Sequence, residues 1–308
     1  MPEGHTIHRL AREHRALLVG RTVRVSSPQG RFAAGAALLD GREVTRVEPY
    51  GKHLWYHFAG RLLHVHLGLY GKWAAGPPPA PEPRGALRVR LTTEQAYLDL
   101  RGPTACEVVL PAERRAVLAR LGPDPLRADA DGGAAYARLS RSRALVGQLL
   151  MDQTVLAGVG NVYRAELLYR ASLSPFTPGR DMPEARWDAM WQDLRVLMRA
   201  GVRTGRIVTT ERRDRARRTG PASAQDAHYV YRRHGLPCRR CGTEVRTGVM
   251  AGRNLFWCPV CQPAQNTIGA YGAGPPQPSA VDAGASAPGR SSSTRPAPAS
   301  AVRDGPPR

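Results

Sequence analysis

The sequence predicts an α+β protein in three parts: an antiparallel β domain behind a leading helix, a helical domain, and a small β-hairpin module held by cysteines. Three observations carry this. Apolar residues alternate with period two through much of the first 110 positions, the signature of half-buried strands. After Pro111 the period lengthens to that of helices. Four of the five cysteines then stand late in the chain as two Cys-x2-Cys pairs.

In order, Ile7, Leu10, Ala11, Leu17 and Leu18 recur at helical spacing, which predicts a helix over 3–18. Val23 and Val25 share a face of a short strand. The run from Val44 to Phe58 predicts two strands bent at Pro49–Gly51. Leu63, Val65 and Leu67 alternate with His64 and His66, as Leu87, Val89 and Leu91 do with Arg88 and Arg90. GPPPAPEPRG at 76–85 is a loop. Pro111 opens a helix that Gly122–Pro125 ends. Further helices are expected over 133–140, 143–154, 161–172 and from Pro183 to about Val202. In AGVGN at 157–161, the asparagine stands where an N-cap belongs. The expected parts are thus 2–110, 111–227 and 228–262. Residues 263–308 draw 31 of 46 positions from Pro, Ala, Gly and Ser, too little apolar surface to offset chain entropy, so a disordered tail is expected.

The chain has 308 residues, 42% hydrophobic and 23% charged, with Lys+Arg 45 against Asp+Glu 25 and a net charge of +20. The apolar fraction excludes wholesale disorder. No apolar run reaches the roughly 18 residues of a membrane span. MPEGHTIHRL places acid and histidine where a signal peptide needs cations and an apolar core, so a cytoplasmic protein is expected. A chain this basic points to a polyanionic partner, nucleic acid first. Lysine occurs only at Lys52 and Lys72. Where arginine serves elsewhere as a plain cation, a retained lysine suggests an ammonium that must give up its proton.

Cys238, Cys241, Cys258 and Cys261 have the spacing that lets four thiolates hold one Zn²⁺ tetrahedrally. Disulfides or free thiols are the alternatives, and they suit a reducing compartment less well. Four protein ligands leave no open position, so the ion is expected to be structural, holding a hairpin with Arg253 near its tip. Cys106 stands apart and is expected to pack as a small hydrophobe. His64 and His66 could suggest a metal pair, but no carboxylate is evident beside them, and a structural or solvent-facing role is expected. At the other end, removal of Met1 would leave Pro2 as a secondary amine with a pKa near about 8, largely unprotonated at neutral pH. Such an amine can attack an electrophilic carbon and form an iminium. Glu3 beside it could shuttle the proton. Alternatively, Pro and Glu merely suit a helix start.

MPEGHTIHRLA, YGKHLWYHF at 50–58, HLGLYG at 66–71, LMDQTVLAGVGNVYRAELLYR at 150–170 and the cysteine pairs occur together in order. In this the chain resembles the formamidopyrimidine-DNA glycosylase/endonuclease VIII family over residues 2–262. The resemblance implies an N-terminal β-sandwich, a helix–two-turns–helix domain and a C-terminal zinc finger. It implies a bifunctional glycosylase/lyase that acts as a monomer on damaged double-stranded DNA, with one structural zinc and no nucleotide cofactor. Pro2 would attack the sugar, Glu3 would protonate the opening ring, and Lys52 would contact phosphate and assist proton transfer. Asn161 and Arg253 would grip the phosphates flanking the lesion, and Glu166 would orient the site among the DNA-contacting residues. Leu69 and Tyr70 match the family's void-filling residues of the endonuclease VIII type, ordinary strand-end packing being the alternative. Gly147-Gln148-Leu149 lacks the lysine found on the formamidopyrimidine side, and Asp99–Pro103 offers the single Arg101 where that side has consecutive arginines before a phenylalanine. These departures favour oxidised pyrimidines; oxidised purines, or a non-catalytic DNA-binding protein, are the rivals.

Overall fold

The structure, a computed structural model, describes residues 2–264. Met1, whose removal is expected above, and the tail from 265 onward lie outside the described residues.

The first helix, α1 (Gly4–Leu18), buries Ile7, Ala11, His14 and Leu18 along one stripe. It packs against β3 (Arg46–Tyr50) and touches α7 (Glu184–Thr204). Behind it lie two antiparallel sheets. One is ordered β2 (Arg42–Val44), β1 (Arg21–Ser26), β7 (Leu87–Thr92), β8 (Tyr97–Arg101) and β6 (Lys72–Gly76). The other runs β3, β4 (His53–Phe58), β5 (Arg61–His66) and β9 (Ala105–Val109). Val23, Val25, Val89, Leu91, Leu98 and Leu100 of the first meet Val47, Leu54, Tyr56, Leu63 and Val65 of the second in one buried core. Period-two alternation made β1, β5 and β7 legible, while β6, β8 and β9 were not foreseen. The bend expected at Pro49–Gly51 falls at Gly51 and Lys52, because Pro49 and Tyr50 still pair with Leu54 and His53. A short helix not foreseen, α2 (Ala33–Leu39), closes one end; its alanine-rich sequence favours helix without an apolar stripe to announce it.

Strands stop at Val109 and helices begin at Pro111 with α3 (Pro111–Ala119), then α4 (Gly132–Leu139). The helix expected over 143–154 is a single turn, α5 (Val146–Leu149). Side chains take over its backbone bonding: Asp152 Oδ1 accepts from Thr154 N at 2.8 Å, and Gln153 reaches Val159 O and Gly158 N at 3.0 and 2.9 Å. α6 (Asn161–Arg170) is buried along almost its whole length, and α7 closes around it with Trp187, Trp191, Leu194 and Met198. A hairpin of β10 (Arg246–Met250) and β11 (Arg253–Trp257) completes the fold. No helix among the described residues is long and apolar enough to cross a membrane.

Candidate active site

Three backbones converge at the start of α1. Gly4 N donates to Gly158 O at 2.8 Å, joining the amino end to the loop before α6. A Cβ at Gly158 would lie 3.4 Å from both Gly4 Cα and Gly51 Cα, and its φ of +92° suits glycine alone. The turn after β3, which carries Lys52, therefore packs against the same point. Asp124 holds that turn from behind: it accepts from Gly51 N at 2.8 Å and from the His8 ring at 2.7 Å.

Glu3 is fully buried at this junction. Its carboxylate accepts from Val162 N at 2.8 Å, Gly160 N at 3.0 Å and Tyr163 N at 3.4 Å. These are orphan amides at the start of α6, where backbone partial charges favour an anion. Asn161, expected as the cap, is instead the first helical residue, and a carboxylate from 157 positions earlier caps the helix. Gly160 permits this, since a Cβ there would lie 2.5 Å from the Glu3 carboxyl carbon. Burial pushes the Glu3 carboxyl above its usual range, against the opposing pull of Lys52 and the three amides. Burial likewise pulls the Lys52 amine down; Glu3 opposes this and Arg253 reinforces it. A carboxyl raised and a nearby amine lowered are closer in proton affinity than the free groups, which suits proton exchange between them. Pro2, half-buried, precedes Glu3 directly.

The hairpin is fastened to the same helix. Asn161 Nδ2 donates to Asn254 O at 2.9 Å, and its Oδ1 accepts from Arg164. Arg164, which the sequence did not single out, is fully buried. It donates to Asn254 O at 2.9 Å and reaches Met250 O and Gly147 O, while its Nε is left unpartnered. The one available signal was its place three residues after Asn161, on the same helix face. Burial lowers Arg164 to about 10, with Glu3 and Arg253 as charged neighbours. Glu3, Lys52, Arg164 and Arg253 thus meet as one carboxylate among three cations, an excess suited to an anionic ligand.

Other expectations fall differently. Glu166, grouped above with DNA-contacting residues, has no exposed surface and cannot touch a phosphate. It accepts from Tyr229, Val230 and Tyr231 N at 2.7–2.8 Å and from the Thr209 hydroxyl, so it locks α6 to the segment leading into the cysteines. Arg101 lies at the end of β8 with its guanidinium committed to Asp99 at 2.9 Å. Leu69 and Tyr70 follow β5 on a turn, 42% and 85% exposed. His64 does have a carboxylate partner: Glu107, opposite it on β9, lies 2.8 Å from Nδ1. Cys106 is half-buried against the sheet core, and burial pushes its thiol up to about 12.

The four remaining thiols lie within 4.8 Å of one another. Cys238 and Cys261 sulfurs are 3.8 Å apart, Cys241 and Cys258 3.4 Å, too far for disulfides. Zn–S bonds of about 2.3 Å require tetrahedral edges of about 3.8 Å, so the set fits one structural zinc ion.

Three family models match in order. They are the formamidopyrimidine-DNA glycosylase N-terminal domain over residues 1–106, the formamidopyrimidine-DNA glycosylase H2TH domain over 121–213, and the zinc finger found in FPG and IleRS over 235–264. Endonuclease 8 1 of Mycobacterium tuberculosis is 50% identical over 267 residues, 85% of this chain and 100% of its own. Formamidopyrimidine-DNA glycosylase of Thermus thermophilus is 33% identical over 270 residues, 85% and 98% of the two chains. The solved MutM (Fpg) structure from Thermus thermophilus superposes with a TM-score of 0.69 at 32% identity, covering 85% and 98%. Lactococcus lactis Fpg in complex with abasic-site DNA reaches 0.71 at 21% identity, covering 85% and 100%, a likeness of fold. The class so defined is that of DNA-repair glycosylases with AP lyase activity. This chain belongs to the formamidopyrimidine-DNA glycosylase/endonuclease VIII family, and its four cysteines hold the structural zinc of that scaffold.

Proposed function

We propose that the protein excises oxidised pyrimidines from double-stranded DNA through its amino-terminal proline and then cuts the abasic strand. With Met1 removed, the Pro2 nitrogen would attack C1′ of an extruded nucleotide and the base would leave with the electrons of its glycosidic bond. Glu3 would give its proton to O4′ as the sugar ring opens, completing a cationic iminium. That cation acidifies C2′; loss of its proton breaks the C3′–O bond, and a second elimination breaks the C5′–O bond. The observation that carries this reading is the burial of Glu3 beside Lys52, immediately after Pro2. Arg253 and Lys52 supply phosphate contacts, reading no sequence and weakening with salt. Exposed Tyr70 and Leu69 suit the gap that base extrusion leaves. The absence of lysine at Gly147–Leu149 and the commitment of Arg101 to Asp99 support pyrimidines over purines.

The test is borohydride trapping on abasic duplex. The processed protein should crosslink, and a version with one residue added before Pro2 should not. Equal crosslinking by both would overturn the nucleophile. Cleavage of duplexes carrying thymine glycol, 5-hydroxyuracil or 8-oxoguanine decides the lesion; preference for 8-oxoguanine opposite cytosine would overturn the pyrimidine assignment.

A further inference from the structure

A cation is buried where α6 meets the β10–β11 hairpin. Arg164 has no exposed surface, yet every bond it makes goes to an uncharged oxygen. It donates to Asn161 Oδ1, to Asn254 O at 2.9 Å, and to Met250 O and Gly147 O at 3.4 Å each, while Nε has no partner. Burying a cation without a paired carboxylate is costly, and an apolar side chain of similar size often serves stability as well or better. What the guanidinium supplies instead is a set of donors fixed in one plane. They are shared out over α5, α6 and the hairpin.

Arg164 fixes the Asn161 amide. A guanidinium only donates and a carbonyl only accepts, so the amide oxygen faces Arg164 and the nitrogen faces Asn254 O, to which Nδ2 donates at 2.9 Å. One Nδ2 hydrogen is thereby used, and the second has no partner among the described residues. Arg164 also brackets the hairpin turn. Met250 pairs with Arg253 across a turn of Ala251 and Gly252, whose φ angles are +51° and +68°. So tight a turn ties the Arg253 backbone to its neighbours. Arg164 holds the carbonyls on both sides of it, Met250 O before and Asn254 O after. From behind, Met250 rests on α5: a Cβ at Gly147 would lie 2.7 Å from Met250 Sδ. The same guanidinium thus joins the Asn161 side chain to the backbone from which the half-buried Arg253 extends.

We propose that Arg164 is the positioning residue of the phosphate grip: one guanidinium orients the amide of Asn161 and seats the turn that carries Arg253, so that helix and hairpin present their DNA contacts at a fixed separation. The idea rests on the proposed function, in which Arg253 contacts phosphate, and on the matching role expected of Asn161. Zinc shapes the hairpin, and Arg164 sets where the shaped hairpin sits on α6. Having no surface of its own, Arg164 touches no DNA and acts through those two residues. A grip ordered before DNA arrives avoids the entropy cost of ordering it on binding, and that advantage is lost with the guanidinium.

The test is the affinity of the full chain for a duplex carrying tetrahydrofuran, a stable abasic analogue, measured by fluorescence anisotropy over a range of salt concentrations. Zinc content and melting temperature are measured on the same variants. Arg164→Met removes the donors at similar length. Arg164→Lys keeps a buried cation that can meet a carbonyl but cannot hold the amide and the turn together. Arg164→Met should bind about tenfold more weakly, and the slope of log affinity against log salt should fall by about one, the share of the Arg253 contact. Arg164→Lys should lie between it and the wild type, with zinc retained in both. If Arg164→Met does not fold, Arg164→Lys carries the same comparison. In a chain already bearing Asn161→Ala and Arg253→Ala, adding the Arg164 substitution should change affinity at low salt by less than about twofold, because the groups it acts through are gone. Wild-type affinity and salt slope in the folded Arg164 variants would overturn the proposal. So would a loss just as large without Asn161 and Arg253, or one that tracks zinc release. A wild-type salt slope in Arg253→Ala, or wild-type affinity in Asn161→Ala, is a separate result, which would remove that phosphate contact from the proposed function and with it this role for Arg164.

Discussion

Glu3 and Glu166 are two fully buried carboxylates bound to the same helix, and each accepts from three backbone amides. Glu3 comes from α1 to the open end of α6 and meets Lys52 and the amino-terminal proline there. Glu166 springs from α6 itself and is bonded by amides and the Thr209 hydroxyl, with His228 and Arg233 as charged or titratable neighbours. Burial is alike and each is held by three backbone amides; the neighbours differ. A buried acid enclosed by donors that never leave is a rivet. One that shares its surroundings with an amine of lowered pKa, beside a half-exposed residue, is placed to move a proton. The difference teaches that neither burial nor acidity marks a reactive carboxyl, and that its place beside a half-buried candidate nucleophile does.

Breaking the first carboxylate should chiefly affect chemistry. Glu3→Gln keeps one acceptor oxygen for the α6 amides and removes the transferable proton. Strand cleavage should fall by about 10²–10⁴-fold with the melting temperature little changed. A variant that stays within threefold of wild type would place the proton donor elsewhere.

Breaking the second should chiefly affect stability. Glu166→Ala leaves the amides of 229–231 without acceptors inside the protein, at about 1–3 kcal/mol for each group left unpaired. Thermal unfolding should shift downward by about 10 °C. The cleavage rate of the fraction still folded should change far less than in Glu3→Gln. An unchanged melting temperature would show that the segment is held by other means.

Cys258→Ser sharpens the comparison from the far end of the rivet. Zinc content should be lost and duplex affinity should drop, as measured by fluorescence anisotropy. Near-ultraviolet signals from the sandwich tryptophans Trp55 and Trp73 should persist. Unaltered affinity would detach the hairpin from DNA binding.

The smallest expected effect concerns acid. His14 is buried, donates to or accepts from Tyr56 Oη at 2.6 Å, and is pulled down to about 3 by burial. The unfolded chain takes up its proton near about 6.5, the folded one does not. Stability should therefore fall as pH drops below about 6.5, by up to about 1.4 kcal/mol per pH unit from this residue, until its folded pKa is reached. His14→Gln should flatten the dependence of melting temperature between pH 6.5 and 4. An identical slope in the variant would assign the acid sensitivity to other groups.

Much of the architecture was legible because local periodicity answers to burial. Val23 and Val25, or Leu87, Val89 and Leu91, alternate because one side of each strand faces the core. The cysteine spacing announced its cluster because a tetrahedral site needs two tight pairs. Pro2 and Glu3 could be singled out because a terminal imino acid has a chemistry of its own. The helix over 143–154 was misjudged for a reason of the same kind: Asp152 and Gln153 bond the backbone with their side chains, an option that apolar periodicity does not record.

Sequence by itself determined the change from strands to helices at Pro111, the thiol set and the pairing of proline with an acid, all of which depend on neighbours along the chain. Tertiary structure alone decided that Glu3 caps a helix 157 residues away, that Lys52 lies against it, and that Arg164 pins the hairpin to α6. It also decided that Glu107, His64 and His53 form one line. The physical reason is common to these cases. Each joins polar groups from separate elements, and such a group finds its partner only when the packing of apolar faces has brought those elements together and removed the water that satisfied it before.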